Sequence, residues 1–254
     1  MYRCFRTLCL TMLLAALPLG ALADEIFSLK VGYLSLEPKG SFASRESGFD
    51  TRIDFDDDIN FGKSEEVMAE AALLLGSFRL SLGYLPLNFT GTSTLNQTLI
   101  FNGQPFSATD TVNGELDVDL WDLGLTWYLL NFDDLPVRLQ LGPELSVKVL
   151  DGDITLQNRT TGLRESVSGT VPVPTIGARA RLGLGDFVAV IGRVGYVEYS
   201  DNSFLDADAQ IEFSPIPLLG LFGGYRYLDI EVDEDDLFID ARFSGPYAGA
   251  FLRF

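Results

Sequence analysis

The chain has 254 residues, with 18 basic and 36 acidic side chains and no histidine. Its formal net charge of −18 disfavours nucleic acid and bare anionic lipid as partners. Because 47% of the residues are hydrophobic and 12% are aromatic, the chain is also too apolar to be intrinsically disordered.

The N-terminus has the features of a secretory signal peptide. Arg3 and Arg6 precede the apolar run 8–22, and residues 21–23, Ala-Leu-Ala, form a small-x-small cleavage site. We therefore predict a signal peptide over 1–23 and a single domain over 24–254. Both cysteines, Cys4 and Cys9, lie in the signal peptide. The mature chain would then have no thiol, and its net charge would be −20, from 16 basic and 36 acidic residues.

No later run of about 18 apolar residues could form a transmembrane helix. Instead, the first predicted strand, residues 26–36, alternates apolar and polar or small positions with a period of two. A long polar segment follows at 38–64. Two further strands are predicted at 65–75 and at 78–84, joined by a tight turn at 76–77.

A second long polar segment, 91–113, precedes the fourth predicted strand, residues 114–130. Trp121 and Trp127 lie on the apolar face of this strand. Asp117 and Asp119 have the same parity as Trp121, which predicts that the strand either projects beyond an apolar band or contains a bulge.

The clearest strand is the fifth, residues 137–149. Its odd positions are all apolar and its even positions are polar or small, over thirteen residues without a break. Soluble strands usually have about 5–6 residues, whereas about 9–11 tilted residues cross a bilayer. By itself this strand would also suit a soluble sandwich or a lipocalin-like barrel.

A third long polar segment is predicted at 151–169, and five more strands follow it, with a last acidic loop at 229–236. The count is ten strands, with eight as the alternative, joined alternately by long polar and short turn-like segments. This pattern predicts an all-β fold: a closed antiparallel up-and-down transmembrane β-barrel with both termini on the periplasmic side.

The C-terminal residues 245–254, GPYAGAFLRF, end in Phe254 with Leu252 at the alternate position before it. This ending resembles the last strand of bacterial outer-membrane β-barrel proteins, whose terminal aromatic is read by the barrel-assembly machinery. The mature chain resembles the small barrels of the OmpW, OmpX and OmpA-transmembrane kind. Barrels of these three kinds usually have eight strands. Because ten strands are predicted here, none of their particular functions is assigned to this chain.

The resemblance implies residence in the bacterial outer membrane after export. It implies contact with outer-membrane lipid and lipopolysaccharide. It also implies passage through the barrel-assembly machinery and periplasmic chaperones during biogenesis.

The faces opposite the apolar ones are predicted to line the lumen and carry similar numbers of basic and acidic residues. This near balance predicts ion pairs across the lumen instead of a ring of one sign. The basic candidates are Lys30, Arg79, Arg138, Lys148, Arg179, Arg181, Arg193 and Arg226, and the acidic candidates are Glu66, Glu70, Asp122, Glu144, Asp206, Asp208 and Glu212.

Two acidic segments are weak candidates for divalent cations, because hard carboxylate oxygens suit Ca²⁺ or Mg²⁺. The candidate ligands are Asp56, Asp58, Asp233 and Asp235. Neither segment has the twelve-residue calcium-loop pattern, so solvated or lipopolysaccharide-facing charge is the preferred interpretation.

Catalysis that needs histidine or a thiol is excluded for the mature chain. The familiar outer-membrane enzymes rely on histidine in their active sites. We expect no enzymatic activity and no cofactor. The predicted function is a narrow channel that binds or passes a small solute. The alternative is a non-conducting structural or adhesin-like barrel that acts through its acidic loops. A third class, a soluble secreted carrier, would have to be soluble without detergent.

Overall fold

A computed structural model describes residues 26–254 apart from 45–50, 97, 133–136, 186, 217 and 235–236. The predicted signal peptide lies outside the described residues. No helix in the described part of the chain has the length and hydropathy to cross a membrane. The strands are β1 (Phe27–Ser44), β2 (Thr51–Asp54), β3 (Ser64–Leu75), β4 (Phe78–Thr94), β5 (Leu99–Phe101), β6 (Gln104–Phe106), β7 (Thr111–Trp127), β8 (Leu130–Phe132), β9 (Val137–Asn158), β10 (Arg164–Leu184), β11 (Val188–Tyr199), β12 (Asn202–Ile216), β13 (Leu219–Glu234) and β14 (Leu237–Arg253), and a π-helix spans Phe55–Ile59.

Ten of the described strands close into one antiparallel barrel, in the order β1-β3-β4-β7-β9-β10-β11-β12-β13-β14, with β14 paired back to β1. The predicted ten-stranded closed barrel is therefore confirmed. Three short elements lie outside this order or extend it. Strand β2 pairs with the end of β1, β8 pairs with β9 beyond the end of β7, and β5 and β6 form a separate hairpin.

The two faces of the wall follow the period-two pattern because successive side chains in a strand point to opposite sides. On β9, Leu145 is 56% exposed on the outside, whereas its neighbours Glu144 and Ser146 are buried inside. Aromatic pairs bound the apolar outer band. Phe78 stacks on Trp127 at one end, and Tyr84 contacts Trp121 at the other.

Both ends of the described chain lie at the Phe78 side of the barrel, where Phe27 and Phe254 exchange backbone hydrogen bonds. This side is called the terminal end below. The opposite side is called the lobe end, and the described parts of the two longer connections, 51–63, 95–96 and 98–110, lie there.

The predicted long polar segments are shorter in the structure than expected, because strands extend into both ends of each. Strand β1 continues to Ser44 and β4 to Thr94, and β9 and β10 form one long hairpin with its connection at residues 159–163. These segments stay in strands because cross-strand pairing satisfies their backbone groups, while their polar side chains face water. Strand β7 pairs with β4 without a register shift, so Asp117 and Asp119 lie where the strand projects beyond the apolar band.

The ladder between β3 and β4 ends at Ala69 and Tyr84, and that between β10 and β11 ends at Ile176 and Tyr196. Beyond these two points the wall divides into two lobes. The first lobe consists of the ends of β4, β7, β9 and β10. The second lobe consists of the ends of β11, β12, β13, β14, β1 and β3, with β2 added.

An apolar core, called the lobe core, fills the space between the two lobes. Phe89 of the first lobe stacks on Phe243 of the second. The π-helix places Ile59 against Gly114 so closely that a Cβ there would lie 2.5 Å from the isoleucine side chain. The other large buried side chains of this core include Phe42, Ile53, Phe55, Phe61, Leu99, Phe101, Phe106, Leu156 and Phe204.

An ion pair outside the apolar band fixes the segment after the π-helix to β1. The Lys63 ammonium lies 2.6 Å from the Glu37 carboxylate. The hydrogen bond and charge of Lys63 lower the pKa of Glu37.

Candidate functional site in the barrel interior

Below the lobe core the interior is polar, and its charged side chains form two layers. The layer next to the lobe core, called the ion-pair layer, contains Asp122, Glu144, Lys148, Arg193, Asp206 and Arg226. The layer at the terminal end, called the basic layer, contains Lys30, Glu70, Arg79, Arg179, Arg181, Glu212 and Arg253. The alternation of each strand brings these residues inward together.

Lys148 is the centre of the ion-pair layer. Its side chain is fully buried, and its Nζ lies 2.7 Å from Asp122 Oδ2 and 2.6 Å from Asp206 Oδ2. Arg226 Nη2 also donates to Asp206 Oδ2, at 2.9 Å. Because Lys148 is on β9 and Asp206 on β12, the pair connects strands that are not neighbours in the wall.

Arg193 of β11 completes this layer. Its Nη1 lies 2.6 Å from Asp122 Oδ2, and its Nε donates to Glu144 Oε1. Thr126 Oγ1 donates to the other Glu144 oxygen at 2.6 Å. The carboxylates here are thus shared between cations, as buried charges require.

The basic layer is arranged around two carboxylates. Glu212 is 2.9 Å from Lys30 Nζ and 2.5 Å from Arg181 Nη1, and Arg253 also donates to it. Arg79 Nη2 donates to Glu70 Oε1 at 2.7 Å. Lys30 lies 3.7 Å from the same Glu70 oxygen.

The structure places the lumen candidates inside the barrel, with the exceptions of Arg138 and Glu66. Arg138 has inward parity, but it is exposed at the rim because β9 begins one residue earlier, at Val137. Glu66 is only partly buried, beside the point where the β3–β4 ladder ends. Asp208 accepts a hydrogen bond from Tyr247 at 2.5 Å.

Sequence reasoning missed two contributors to the lumen. Arg253 has the inward parity of Phe251, and both are buried. Tyr128 continues the inward series of Asp122 and Thr126. Both residues lie within predicted strands, and their parity was the available signal, but neither was assigned to the inner face.

The weak metal candidates do not come together in the described part of the chain. Asp235 lies outside the described residues, as does the side chain of Asp56. Asp58 accepts a hydrogen bond from the Asp54 backbone at 2.9 Å, and Asp233 lies on β13. The described residues contain no group of three or more acidic, histidine or cysteine side chains arranged to hold a metal ion.

The C-terminal residues lie where the barrel closes. Phe254 stacks on Phe27 with ring centroids 6.4 Å apart, and Leu252 faces outward. Leu252 pairs with Leu29 across the β14–β1 ladder. Both side chains are therefore exposed at the terminal end, and their role as an assembly signal stays a prediction.

Searches with known proteins give matches only among solved structures: no protein-family model and no curated protein sequence matches the chain. The outer membrane protease OmpT from Escherichia coli is 11% identical, covers 93% of this chain and 99% of its own, and superposes with a TM-score of 0.62. Ail, the attachment invasion locus protein of Yersinia pestis, is 10% identical over 89% of this chain and 98% of its own, with a TM-score of 0.38. Neisserial surface protein A is 12% identical over 92% of this chain and 100% of its own, with a TM-score of 0.38.

The similarity to OmpT shows the fold and, at 11% identity, nothing further. A TM-score of 0.38 carries no argument for the other two. The chain therefore has the closed antiparallel fold of bacterial outer-membrane β-barrels.

Proposed function

We propose that this protein is a non-conducting outer-membrane barrel, without catalytic activity, that presents two lobes of extended strands at the cell surface. Outer-membrane barrels keep short turns on the periplasmic side and their longer segments outside. By that rule the terminal end faces the periplasm and the lobe end faces the exterior. The observation that carries the proposal is that the interior is filled at two successive levels.

A water or solute path needs a continuous polar channel, and the lobe core interrupts it. Phe89, Ile59 and Phe106 are each 0% exposed, so they are packed on all sides. Below them Lys148 is also 0% exposed and joins both sides of the lumen. Opening a path would require separating aromatic contacts and also breaking buried ion pairs, which costs several kcal/mol for a pair alone.

The outer surface of the first lobe supports an exterior role. Asp117 lies opposite Asp153 and Asp119 lies opposite Asp151 in the β7–β9 ladder, all on the outward face above Trp121. Like charges directly opposite one another destabilise a sheet. A surface that keeps them is suited to contact with cationic groups of a partner or with cations bound at the lipopolysaccharide surface.

The proposal of no catalysis rests on the chemistry of the chain. OmpT is named a protease, but a shared fold does not transfer an activity. This chain has no histidine, and each buried carboxylate of the ion-pair layer is held by a cation. Asp208 is hydrogen-bonded to Tyr247. Each of these four carboxylates thus has at least one oxygen held by a cation or a hydroxyl, although Asp122 Oδ1 and Asp206 Oδ1 have no hydrogen-bond partner among the described residues.

Planar-bilayer conductance of the refolded mature protein tests the proposal. We expect no discrete current steps from protein whose insertion is verified by heat-modifiable electrophoretic mobility. Small reproducible steps that change with Arg193→Gln would contradict the proposal and establish the solute-passage function instead.

A further inference from the structure

The basic layer surrounds a small cavity of about 70 Å³ at the terminal end, called the terminal cavity. Its charged lining comprises Lys30, Arg79, Arg179, Arg181, Arg253 and Glu212. Ile26 and Leu74 are apolar residues of the same lining. The feature is notable because the whole chain is strongly acidic, yet the charges around this cavity are mostly positive.

The carboxylates near the cavity do not neutralise its cations. Glu212 contacts Lys30, Arg181 and Arg253, and Glu70 contacts Arg79 and Lys30. Five cations thus line the cavity beside two carboxylates. The two carboxylates contact four of these cations, and the fifth cation is Arg179.

Arg179 is the key residue, since it is only 6% exposed. In the part of the chain that the structure describes, no carboxylate oxygen lies within 4.0 Å of its guanidinium, and it donates no hydrogen bond. Its acidic neighbours are Glu70, which accepts from Arg79, and Glu144, whose two oxygens accept from Arg193 and Thr126. Arg193 is also the direct cross-strand partner of Arg179, which adds like-charge repulsion.

A second nitrogen in the cavity lining is also unsatisfied. Among the described residues, Arg79 Nη1 is buried without a hydrogen-bond partner, while its Nη2 donates to Glu70. The orphaned Arg79 donor carries a desolvation penalty of about 1–3 kcal/mol. The local structure therefore favours an anion that would accept from both guanidinium groups.

We propose that the terminal cavity is a binding site for one small oxyanion of the phosphate type, entering from the terminal end. A volume of about 70 Å³ is several times the about 10–15 Å³ that one water needs, so the cavity has room for a small oxyanion. Planar guanidinium groups match the oxygens of phosphate. The anion is either free phosphate or the phosphate of a larger molecule whose remainder lies outside the cavity.

Titration calorimetry and thermal unfolding of the refolded mature chain in a neutral maltoside detergent test this site. Inorganic phosphate, in a constant chloride background, should bind saturably at one site per chain and raise the melting temperature. Glycerol 3-phosphate in a parallel titration distinguishes the two sources. Tighter binding of the ester indicates a phosphate carried on a larger molecule, and tighter binding of inorganic phosphate indicates the free ion.

Arg179→Gln should weaken phosphate binding by about tenfold or more, because a hydrogen bond to a charged group contributes about 1.5–3 kcal/mol. Without phosphate, the variant should still fold, because no carboxylate oxygen among the described residues is within 4.0 Å of the Arg179 guanidinium. Arg138→Gln is the matched control: it removes an arginine at the same end that does not line the cavity, and should bind phosphate as the parent does.

Equal phosphate binding by the parent and Arg179→Gln would overturn the site, as would no binding by folded parent protein. If Arg179→Gln fails to fold, Arg179→Lys keeps the charge but loses the fork of donors, and unchanged affinity there would overturn the site too. The inference is independent of the proposed function, since the conductance measurement does not depend on phosphate.

Discussion

Phe89 on β4 stacks on Phe243 on β14 with ring centroids 5.2 Å apart and ring planes at 22°. Two barrel strands, β1 and β3, separate β4 from β14 in the wall, so this contact crosses the interior. It holds the first lobe against the second at the level where the ladder between β3 and β4 has ended. Side-chain packing therefore holds the lobe end together along with a short backbone contact, in which Phe61 bridges to Gly91 and the Gly62 amide donates to the Thr90 carbonyl.

Phe89→Ala should destabilise the folded barrel by about 3–5 kcal/mol, the usual cost of removing a buried aromatic side chain. Tyr199→Ala is the control because Tyr199 is 79% exposed, and it should change stability by about 0.5 kcal/mol or less. Reversible urea unfolding in detergent measures both. Equal effects would show that the lobe core does not contribute to stability.

Lys148→Met should cost about 3–5 kcal/mol, because it leaves Asp122 and Asp206 with less positive charge in a buried site. Adding Asp206→Asn should recover part of this loss, since the double variant removes one of the carboxylates left behind. A double-mutant cycle of unfolding free energies measures the coupling. Strictly additive losses would mean that the pair is not formed.

Leu145→Arg should weaken folding in a bilayer by about 2–4 kcal/mol, the cost of a charge on the lipid face near the midplane. Asp151→Arg is the control on the same strand and face, but beyond the apolar band and opposite Asp119. It should be tolerated. Refolding yield into phospholipid vesicles, read by heat-modifiable mobility, compares them. A loss for Asp151→Arg as large as that for Leu145→Arg would contradict the position of the band.

Gly245→Ala should destabilise the seam where β14 meets β1, because its Cβ would lie 2.0 Å from the Ser35 carbonyl oxygen. Forcing that backbone apart should cost about 1–3 kcal/mol, as overpacking usually does. Gly192→Ala is the control, since its Cβ would meet no atom within 4 Å. Thermal unfolding in detergent should separate the two variants, and matching melting temperatures would refute this account of the seam.

The membrane-facing wall could be predicted from the sequence because alternation alone determines which side chains of a strand face lipid. Val137 to Val149 shows this over one uninterrupted strand. The lobe end could not be predicted in this way. At the lobe end Leu34 and Phe89 face inward, as the charged residues do nearer the terminal end. They belong to one buried apolar cluster with Phe55 and Ile59, which are distant from them in the sequence. Contacts between residues so far apart in the sequence leave no local periodic signal.

The interior charges were predicted as a set, but their grouping was not. Period-two reasoning places Lys148 and Arg179 on the same side of the wall, and it cannot say that one has two carboxylates and the other none within 4.0 Å among the described residues. That difference depends on the stagger between strands around the closed barrel, which register and shear determine.

The division of the wall into lobes leaves strand edges without neighbours, at residues 85–87 of β4 and along residues 164–175 of β10. Such edges can recruit strands from other chains and so begin aggregation. Proline has no amide hydrogen to give to an incoming strand, and Pro86 lies on the first of these edges while Pro172 and Pro174 lie on the second. The protein can therefore expose these edges without promoting edge-to-edge association with its neighbours in the membrane.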